Sequence, residues 1–345
     1  MRPQPLISQI LCKLAERAGV EVELEPNFGR AGVIHLGDGR HSYFLNGSLD
    51  LNPVGSSSIA TAKDWAAHFM LRRGYPVVEG EPFYSKEFCG ALGSDRDVVA
   101  AWAYARRLGL PVIVKPNSRS QGRGVCKVHN RKEFMRAAAA VFRRDRVLLV
   151  QRFVDGHDHR IVVLDGDVIS AYERLPLAVR GDGASTIRQL VQAKQRHFVA
   201  SGRDTEIDLT DMRIPMHLAR RGFSLDSVLE DGASTTLLDN RNLSTGGDAV
   251  DVTDEMHDGY KRFAADVTRD MGLRFCGVDV MVDGDIREAP RQGHHWIIEI
   301  NAAPGLDHYA ASGARQEAVV DALYLNVVEA LKASVPADAG RVGRS

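Results

Sequence analysis

Apolar residues recur along the chain with two different spacings, which predict an alternation of helices and strands. A spacing near 3.6 residues indicates helices that bury one face, and short β-branched runs indicate strands. We predict helices over residues 7–18, 59–73, 95–108, 133–142, 187–200, 254–271 and 317–331. We predict strands over residues 20–24, 32–36, 43–45, 110–116, 146–150, 161–164, 168–172, 276–282 and 296–301.

Local signals mark the ends of several of these elements. Ser94 is expected to cap the helix at 95–108, and Thr186 the helix at 187–200, because hydroxyl side chains accept the first free helical N–H groups. Asp165-Gly166 lies between two strand patterns and predicts a hairpin turn. The pattern weakens between residues 201 and 231, where no element is predicted.

The last predicted strand carries two polar residues that need an explanation. Side chains alternate between the two faces of a strand. Ile298 and Ile300 are then expected to face one way. Ile297, Glu299 and Asn301 are expected to face the other way. Polar groups on an apolar strand are costly to bury without partners, so Glu299 and Asn301 are expected to line a cleft.

The strand before it carries a single carboxylate, Asp279. If the two strands pair in antiparallel fashion, Asp279 joins Glu299 and Asn301 on one face. Two carboxylates and an amide oxygen suit a hard cation such as Mg²⁺. The alternative for each residue taken alone is an ordinary polar group at a strand edge.

A glycine-rich loop follows the strand that delivers Lys115. The loop at 117–125 contains serines, glycines and two arginines. Glycine permits close approach of the backbone, so its N–H groups could bind phosphate. The alternative is a mobile surface turn. The chain has neither a GxxxxGK[ST] motif nor a GxGxxG motif after a strand, which disfavours P-loop and dinucleotide-binding folds.

Composition limits the function classes. The chain has 345 residues, 44% of them hydrophobic, which allows a large core divided into two or three subdomains. The formal net charge is −1, so we expect no nucleic-acid partner. We expect no membrane association, because no apolar run reaches the length of a membrane span. The scattered cysteines favour free thiols in a reducing, cytoplasmic location: Cys12, Cys89, Cys126 and Cys276.

Several motifs, taken in order, resemble those of the ATP-grasp carboxylate–amine ligases. They are Lys63 on a helix, VIVKP at 112–116, RGDGASTI at 180–187, NLSTGG at 242–247, CGVDV at 276–280 and EINAAPG at 299–305. Within that family the chain is most similar to the ATP-grasp part of cyanophycin synthetases and of bifunctional glutathione synthetases. The similarity covers about residues 56 to 325.

The resemblance implies an α+β ATP-grasp fold that clamps ATP between a small lid and a larger sheet. It divides the chain into an N-terminal α/β segment at 1–60, a linking helix with the first ATP lysine at 61–85, a lid at 86–154, a C-terminal subdomain with the metal site at 155–335, and a flexible tail at 336–345.

The resemblance also implies roles for individual residues. ATP would contact Lys63, Lys115, Ser118, Gly122, Gly124, Val125, Gln151, Arg152, Val154 and Asp158, with Asp158 facing the ribose. The ligands of Mg²⁺, or of Mn²⁺ in its place, would be Asp279, Glu299 and Asn301. The groups that act on the transferred phosphoryl or on the acyl phosphate would be Arg160, Arg174 and Lys115.

The implied activity is an ATP- and Mg²⁺-dependent ligase that joins the carboxylate of an amino acid or short peptide to an amine. A kinase that stops at phosphorylation and a non-catalytic ATP-binding module remain alternatives. A homo-oligomer is compatible with the resemblance. The sequence departs from the family pattern at Ala62, Gln151 and Gly277. Gly277 stands where D-alanine–D-alanine ligases carry an arginine, which argues against that substrate.

Overall fold

Helices packed on antiparallel sheets make up the described part of the chain. The computed structural model describes residues 4–119, 122, 124–201, 203 and 205–333. The helices are α1 (Leu6–Leu14), α2 (Val54–Thr61), α3 (Lys63–Arg72), α4 (Lys86–Leu92), α5 (Val98–Leu108), α6 (Arg131–Phe142), α7 (Ile187–Ala200), α8 (Arg213–Arg220), α9 (Asp258–Asp270), α10 (Asp307–Ala310) and α11 (Ala314–Ala333), with a 3-10 turn at Leu243–Thr245.

The strands are β1 (Glu21–Leu24), β2 (Ala31–His35), β3 (His41–Leu45), β4 (Ser48–Leu49), β5 (Gly80–Tyr84), β6 (Val112–Pro116), β7 (Cys126–Val128), β8 (Val147–Arg152), β9 (His157–Leu164), β10 (Asp167–Leu175), β11 (Ala178–Arg180), β12 (Ser234–Thr236), β13 (Asp248–Asp251), β14 (Phe275–Val282) and β15 (His295–Asn301). A five-stranded sheet, ordered β13-β10-β9-β14-β15, forms the central platform. A four-stranded sheet, ordered β5-β8-β6-β7, forms the lid sheet, and β1 to β4 form a separate N-terminal sheet.

The platform sheet is covered on both faces. Ile161, Val163, Val278 and Val280 are buried together with residues of α3 and α9. On the opposite side, Val162 and other residues at one end of the sheet pack with α1 and α11. The polar site residues lie on this second face, where the apolar packing gives way to a cleft.

Asn52 connects the N-terminal segment to the strands that carry the candidate site. Its Nδ2 donates to the carbonyls of Phe275 and Ala302, at 2.7 and 2.9 Å. Its Oδ1 accepts from the N–H groups of Arg274 and Phe275. These bonds satisfy backbone groups at the start of β14 and just after β15, and they fix the N-terminal segment beside these two strands.

The single helix predicted over 59–73 is wrong, because the chain breaks it at Ala62. Ala62 is extended, with φ −95° and ψ 101°, so α2 ends at Thr61 and α3 begins at Lys63. No glycine or proline marks the break. As a consequence, Lys63 lies at the N-terminus of a separate helix.

Two predicted helix starts are also corrected. Asp97, and not Ser94, caps α5 by accepting from the N–H groups of Val99 and Ala100. The helix predicted from 254 begins at Asp258, with His257 as its cap. The predicted cap at Thr186 is confirmed, and Gln189 completes a capping box there.

The lid sheet has its own core. Phe134 of α6 is fully buried in it with residues of α5 and of the four strands. A further core lies between β11, β12, α7 and α8, and it stabilises the segment where the sequence pattern was weakest. No described helix is long and apolar enough to cross a membrane. The tail expected at 336–345 lies outside the described residues.

Candidate active site

The three residues predicted to bind a metal lie on one face of the platform sheet. β14 and β15 pair in antiparallel fashion, with Asp279 opposite Glu299 and Gly277 opposite Asn301. Asp279 is 1% exposed, and Glu299 and Asn301 are partly buried. The sequence therefore identifies both the pairing of the strands and their shared face.

The predicted faces of the apolar residues on β15 need one correction. A bulge interrupts the pairing between Asp279 and Val280, so Val280 lies opposite Ile297 and not opposite Ile298. Ile297 and Ile300 are both buried in the core. An extra residue at a bulge shifts the alternation of side chains, which explains why Ile297 does not share a face with Glu299.

A buried cluster of charges surrounds Asp279. Arg160, directly opposite on β9, donates from Nε to Oδ1 and from Nη2 to Oδ2 of Asp279. Arg174 of β10 brings Nη2 to 3.0 Å from Oδ2 of Asp279 and to 2.6 Å from Oδ1 of Asp158. All four side chains are buried. Arg160 and Arg174 therefore lie beside the candidate metal ligand Asp279 of β14.

The electrostatics of the cluster keep the arginines charged. Burial alone would lower their pKa values, but the carboxylates of Asp279 and Asp158 outweigh it, and the pKa of Arg174 is raised well above its usual value. Burial raises the pKa of Asp279, and the two guanidiniums oppose that effect. A charge in this cluster is therefore stabilised only while its partners stay in place.

Two lysines from different parts of the chain interact with the charge of Glu299. Lys63 Nζ lies 3.2 Å from Glu299 Oε2 and donates to the carbonyl of Arg119 at 2.7 Å. Lys115 on β6 is 3% exposed. Burial lowers the pKa of Lys115 to about 8, although Glu299 acts in the opposite direction. The lysines and arginines in turn lower the pKa of Glu299 against the effect of its burial.

The glycine-rich loop is held by contacts that the sequence did not predict. Gly122 has φ +64°, and its carbonyl accepts from Arg213 Nη1 at 3.1 Å. The same nitrogen donates to the carbonyl of Val125 at 3.0 Å, and Asn240 also reaches Gly122. Arg213 lies in the segment without periodicity, so the sequence offered no signal for this contact.

The loop begins against the lid sheet. Ser118 donates from its N–H and hydroxyl to Asp145 Oδ2, at 3.0 and 2.8 Å. Gly124 also has a positive φ, of +79°. Ser118, Gly122, Gly124 and Val125 therefore lie in one turn between β6 and β7. Residues 120, 121 and 123 lie outside the described residues.

The residues predicted to contact the nucleoside lie at the end of β8, just after it and at the start of β9. Gln151 is buried and Val154 is partly buried. Arg152 is exposed and pairs with Glu79, with Nη2 2.5 Å from Oε2. Asp158 lies in the buried cluster with Arg174, so its Oδ1 is engaged by an arginine. The binding of a nucleoside by these four side chains stays a prediction.

The oxygen donors of the site fit a hard divalent cation. Asp279 and Glu299 supply carboxylates on facing strands, and Asn301 supplies an amide whose Nδ2 is buried without a hydrogen-bond partner among the described residues. Within those residues no three His, Cys, Asp or Glu side chains are grouped to hold a metal. A cation bound by the two carboxylates would therefore also need the amide oxygen of Asn301 and oxygen atoms of a bound ligand.

Two cavities adjoin the site on the N-terminal side. A cavity of about 230 Å³ is lined by Lys63, Ser118, Arg119 and Asn301, among others. A larger one, of about 690 Å³, runs along the N-terminal sheet and is lined largely by apolar side chains such as Phe44. Ser48, Leu49 and Ser57 line both cavities. The smaller cavity therefore gives access to Lys63 from this side.

Comparison with known proteins gives consistent matches. Residues 69–181 match the family model described as D-ala D-ala ligase C-terminus. The chain is 32% identical to a cyanophycin synthetase of Geminocystis herdmanii over 291 residues, which are 81% of this chain and 31% of that protein. It is 32% identical to the glutathione biosynthesis bifunctional protein GshAB of Streptococcus mutans over 276 residues, 76% of this chain and 35% of that protein.

Solved structures agree on the fold. A bifunctional glutathione synthetase from Pasteurella multocida matches with a TM-score of 0.60 and 26% identity, covering 94% of this chain and 44% of that one. A D-alanine–D-alanine ligase from Bacillus anthracis matches with a TM-score of 0.50 and 14% identity, over 81% of this chain and 70% of that one, and shows the fold alone.

These matches confirm the α+β ATP-grasp fold and the resemblance to ATP-grasp ligases. The chain is a relative of cyanophycin synthetases and bifunctional glutathione synthetases, and it spans about a third of the length of these curated relatives.

Gly277 provides a test of the buried cluster. A Cβ at this position would lie 3.0 Å from Arg160 Nη1 and 2.9 Å from Pro304 Cβ. We expect Gly277→Ala to displace Arg160 from Asp279 and to lower the free energy of unfolding by about 1–3 kcal/mol, as overpacking does. Denaturant unfolding measures this.

The matched control for this substitution is Gly90→Ala. Gly90 lies in α4, and a Cβ there meets nothing within 4 Å. We expect the control to be neutral or slightly stabilising, because alanine favours helix over glycine. Wild-type stability of Gly277→Ala would contradict the tight packing of Arg160.

Proposed function

We propose that the protein is an ATP- and Mg²⁺-dependent ligase that activates a carboxylate as an acyl phosphate and joins it to an amine. The product would be an amide or peptide bond between amino acids or short peptides. The observation that carries this proposal is the convergence on Glu299. Lys63 pairs with it at 3.2 Å, and the charge of the buried Lys115, from a separate element, interacts favourably with it. Glu299 also lies opposite Asp279 on the face that carries Asn301.

The chemistry requires charge neutralisation and alignment more than a protein nucleophile. A carboxylate becomes a good electrophile only after it accepts the γ-phosphoryl group of ATP, and the enzyme must neutralise the phosphates meanwhile. In the proposal, Lys63 and Lys115 bind the phosphates. Mg²⁺, when bound by Asp279, Glu299 and Asn301, would supply further positive charge to the phosphate oxygens.

The buried arginines would act on the reacting group. Arg160 and Arg174 share Asp279 and are held by it at the face where the donors converge. Fixed donors of this kind stabilise developing negative charge without reorganising. We assign them to the transferred phosphoryl and the acyl phosphate, which leaves Asp279 to hold them and to serve as a metal ligand.

The nucleoside contacts are also part of the proposal. Gln151 and Val154 are assigned to the adenine edge, with Arg152 at its outer side. Asp158 would bind the ribose hydroxyls through Oδ2, because its Oδ1 accepts a hydrogen bond from Arg174. The loop of Ser118, Gly122, Gly124 and Val125 would cover the phosphates and exclude water, which would otherwise hydrolyse an acyl phosphate.

The substrate class follows from the relatives and from the cavities. The relatives' names refer to cyanophycin and glutathione synthesis, and we propose an amino acid or short peptide as substrate here. It would enter through the cavities shared by the N-terminal sheet, α2 and Lys63.

We also propose a cytoplasmic location, assembly as a homo-oligomer, and subdomain boundaries close to residues 60, 85, 154 and 335.

The first test is the release of ADP from Mg·ATP in the presence of hydroxylamine and a panel of amino acids and short peptides. We expect ADP release that depends on one carboxylate, together with its hydroxamate, because hydroxylamine attacks an acyl phosphate and releases phosphate. We expect Glu299→Gln to lower this rate roughly 100-fold. Glu288→Gln, at an exposed residue outside the site, is the control and should keep the wild-type rate.

The outcomes separate the alternatives. A stable phosphorylated product without hydroxamate or amide would favour a kinase. ATP binding without turnover on the whole panel would favour a non-catalytic module. Wild-type turnover of Glu299→Gln would remove Glu299 from the site.

The second test is the pH dependence of ATP affinity. Lys115 has a pKa of about 8, so it carries a charge below that pH and loses it above. A bound phosphate should raise this pKa towards that of free lysine. Affinity for Mg·ATP should then fall by about tenfold between pH 7.5 and 9.5. Calorimetry at constant ionic strength measures this.

Lys115→Met is the matched control, because it removes the titrating group. Its weaker affinity should show little change over the same pH range. A wild-type affinity that is equal at both pH values would contradict the assignment of Lys115 to the phosphates.

A further inference from the structure

Asn117 and Asp64 form a reciprocal contact beside the two lysines. Asn117 Oδ1 accepts from the backbone N–H of Asp64 at 3.0 Å, and Asn117 Nδ2 donates to Asp64 Oδ1 at 2.6 Å. Asn117 is 6% exposed. Asp64 directly follows Lys63, and Asn117 lies two residues after Lys115. The pair therefore joins the two backbone positions from which the lysine side chains extend.

The contact links two units that pack separately. The N–H of Asn117 donates to the carbonyl of Val147, which holds Asn117 to the lid sheet. In α3, Ala66 and Met70 are buried in the core of the platform sheet. The Asp64–Asn117 pair thus fixes the lid sheet relative to the platform at the point where both reach the site.

Asn117 also supplies a helix cap that α3 lacks. Ala62 occupies the cap position and makes no side-chain hydrogen bond to the helix. Asn117, which belongs to the lid, acts as the cap instead: its Oδ1 accepts a hydrogen bond from the N–H of Asp64 in the first turn of α3. A cap from another subdomain makes the start of α3, and with it Lys63, depend on the position of the lid.

The consequence concerns the spacing of the lysines. A lysine side chain is flexible, so the position of its ammonium depends on where its backbone is fixed. Lys63 contacts both Glu299 and the carbonyl of Arg119, two residues beyond Asn117. Both lysines therefore extend from backbone segments that the Asp64–Asn117 pair holds together.

We propose that Asp64 and Asn117 are a positioning pair that sets the separation of Lys63 and Lys115 and so determines the affinity for the phosphates of ATP. The inference rests on the proposed function, since it assumes that these lysines bind phosphates. Neither residue of the pair contacts the nucleotide in this account; they act through the two lysines.

The experiment is a reciprocal exchange of the two side chains. Asn117→Asp places a second carboxylate against Asp64 and should weaken the binding of Mg²⁺ and a non-hydrolysable ATP analogue about tenfold or more, as should the uncharged variant Asn117→Ala. In the double variant with Asp64→Asn, the new amide can donate to the new carboxylate, which also accepts the N–H of residue 64. We expect the double variant to recover affinity to within about threefold of wild type.

A matched control separates positioning from general destabilisation. Asn130 caps α6 of the lid by accepting the N–H of Glu133 at 3.0 Å, away from the lysines. Asn130→Ala should lower the melting temperature and leave the affinity of the folded protein unchanged. Calorimetry gives the affinity and the folded fraction, and thermal unfolding gives the melting temperature.

The results that would overturn the inference are specific. Wild-type affinity in both Asn117→Ala and Asn117→Asp would exclude a positioning role while leaving the proposed function intact. A double variant as weak as Asn117→Asp would exclude the reciprocal pairing. If the wild-type protein itself does not bind the analogue with Mg²⁺, the proposed function fails, and the inference fails with it.

Discussion

The carboxylate of Asp279, shared between two buried guanidiniums, is the interaction on which the site depends. Arg160 and Arg174 come from neighbouring strands, and both reach Asp279 on one face of the platform sheet. Removing one member of a buried charged cluster costs about 3–5 kcal/mol, because the others are left without partners. The loss of any member would therefore destabilise the sheet, which favours this geometry. The same geometry gathers oxygen donors and cations on one face of the sheet.

Elements from other parts of the chain bring further charged groups to this face. α3 delivers Lys63, which pairs with Glu299, and β6 delivers Lys115, whose charge interacts favourably with Glu299. Glu299 lies directly opposite Asp279. Arg213 of α8 donates to two backbone carbonyls of the glycine-rich loop. Four cations, from the two lysines and the two arginines, thus lie among the three carboxylates of Asp158, Asp279 and Glu299 before any ligand binds, and the site has an excess of positive charge. A nucleotide with Mg²⁺ brings both signs of charge and could replace these internal pairs without leaving a charge unpaired.

Much of the site could be predicted because its residues interrupt otherwise apolar strands. Asp279 and Glu299 stand out in runs of valine and isoleucine, and strand alternation places them on a shared face. The same reasoning misplaced Ile297, since a bulge leaves no signal in a run of β-branched residues. The break at Ala62 was also missed, because the start of α3 is capped by Asn117, more than 50 residues away. Long-range contacts of this kind, including the one made by Arg213, leave no recognisable pattern in the local sequence.

The central claim is that this face binds a metal–nucleotide complex, and calorimetric titration with ATP in the presence and absence of Mg²⁺ tests it most directly. Asp279, Glu299 and Asn301 are proposed to reach the phosphates only through the cation. We therefore expect affinity in excess Mg²⁺ to exceed that in EDTA by at least about tenfold at matched ionic strength. Equal affinity under both conditions, or no binding under either, would contradict the account.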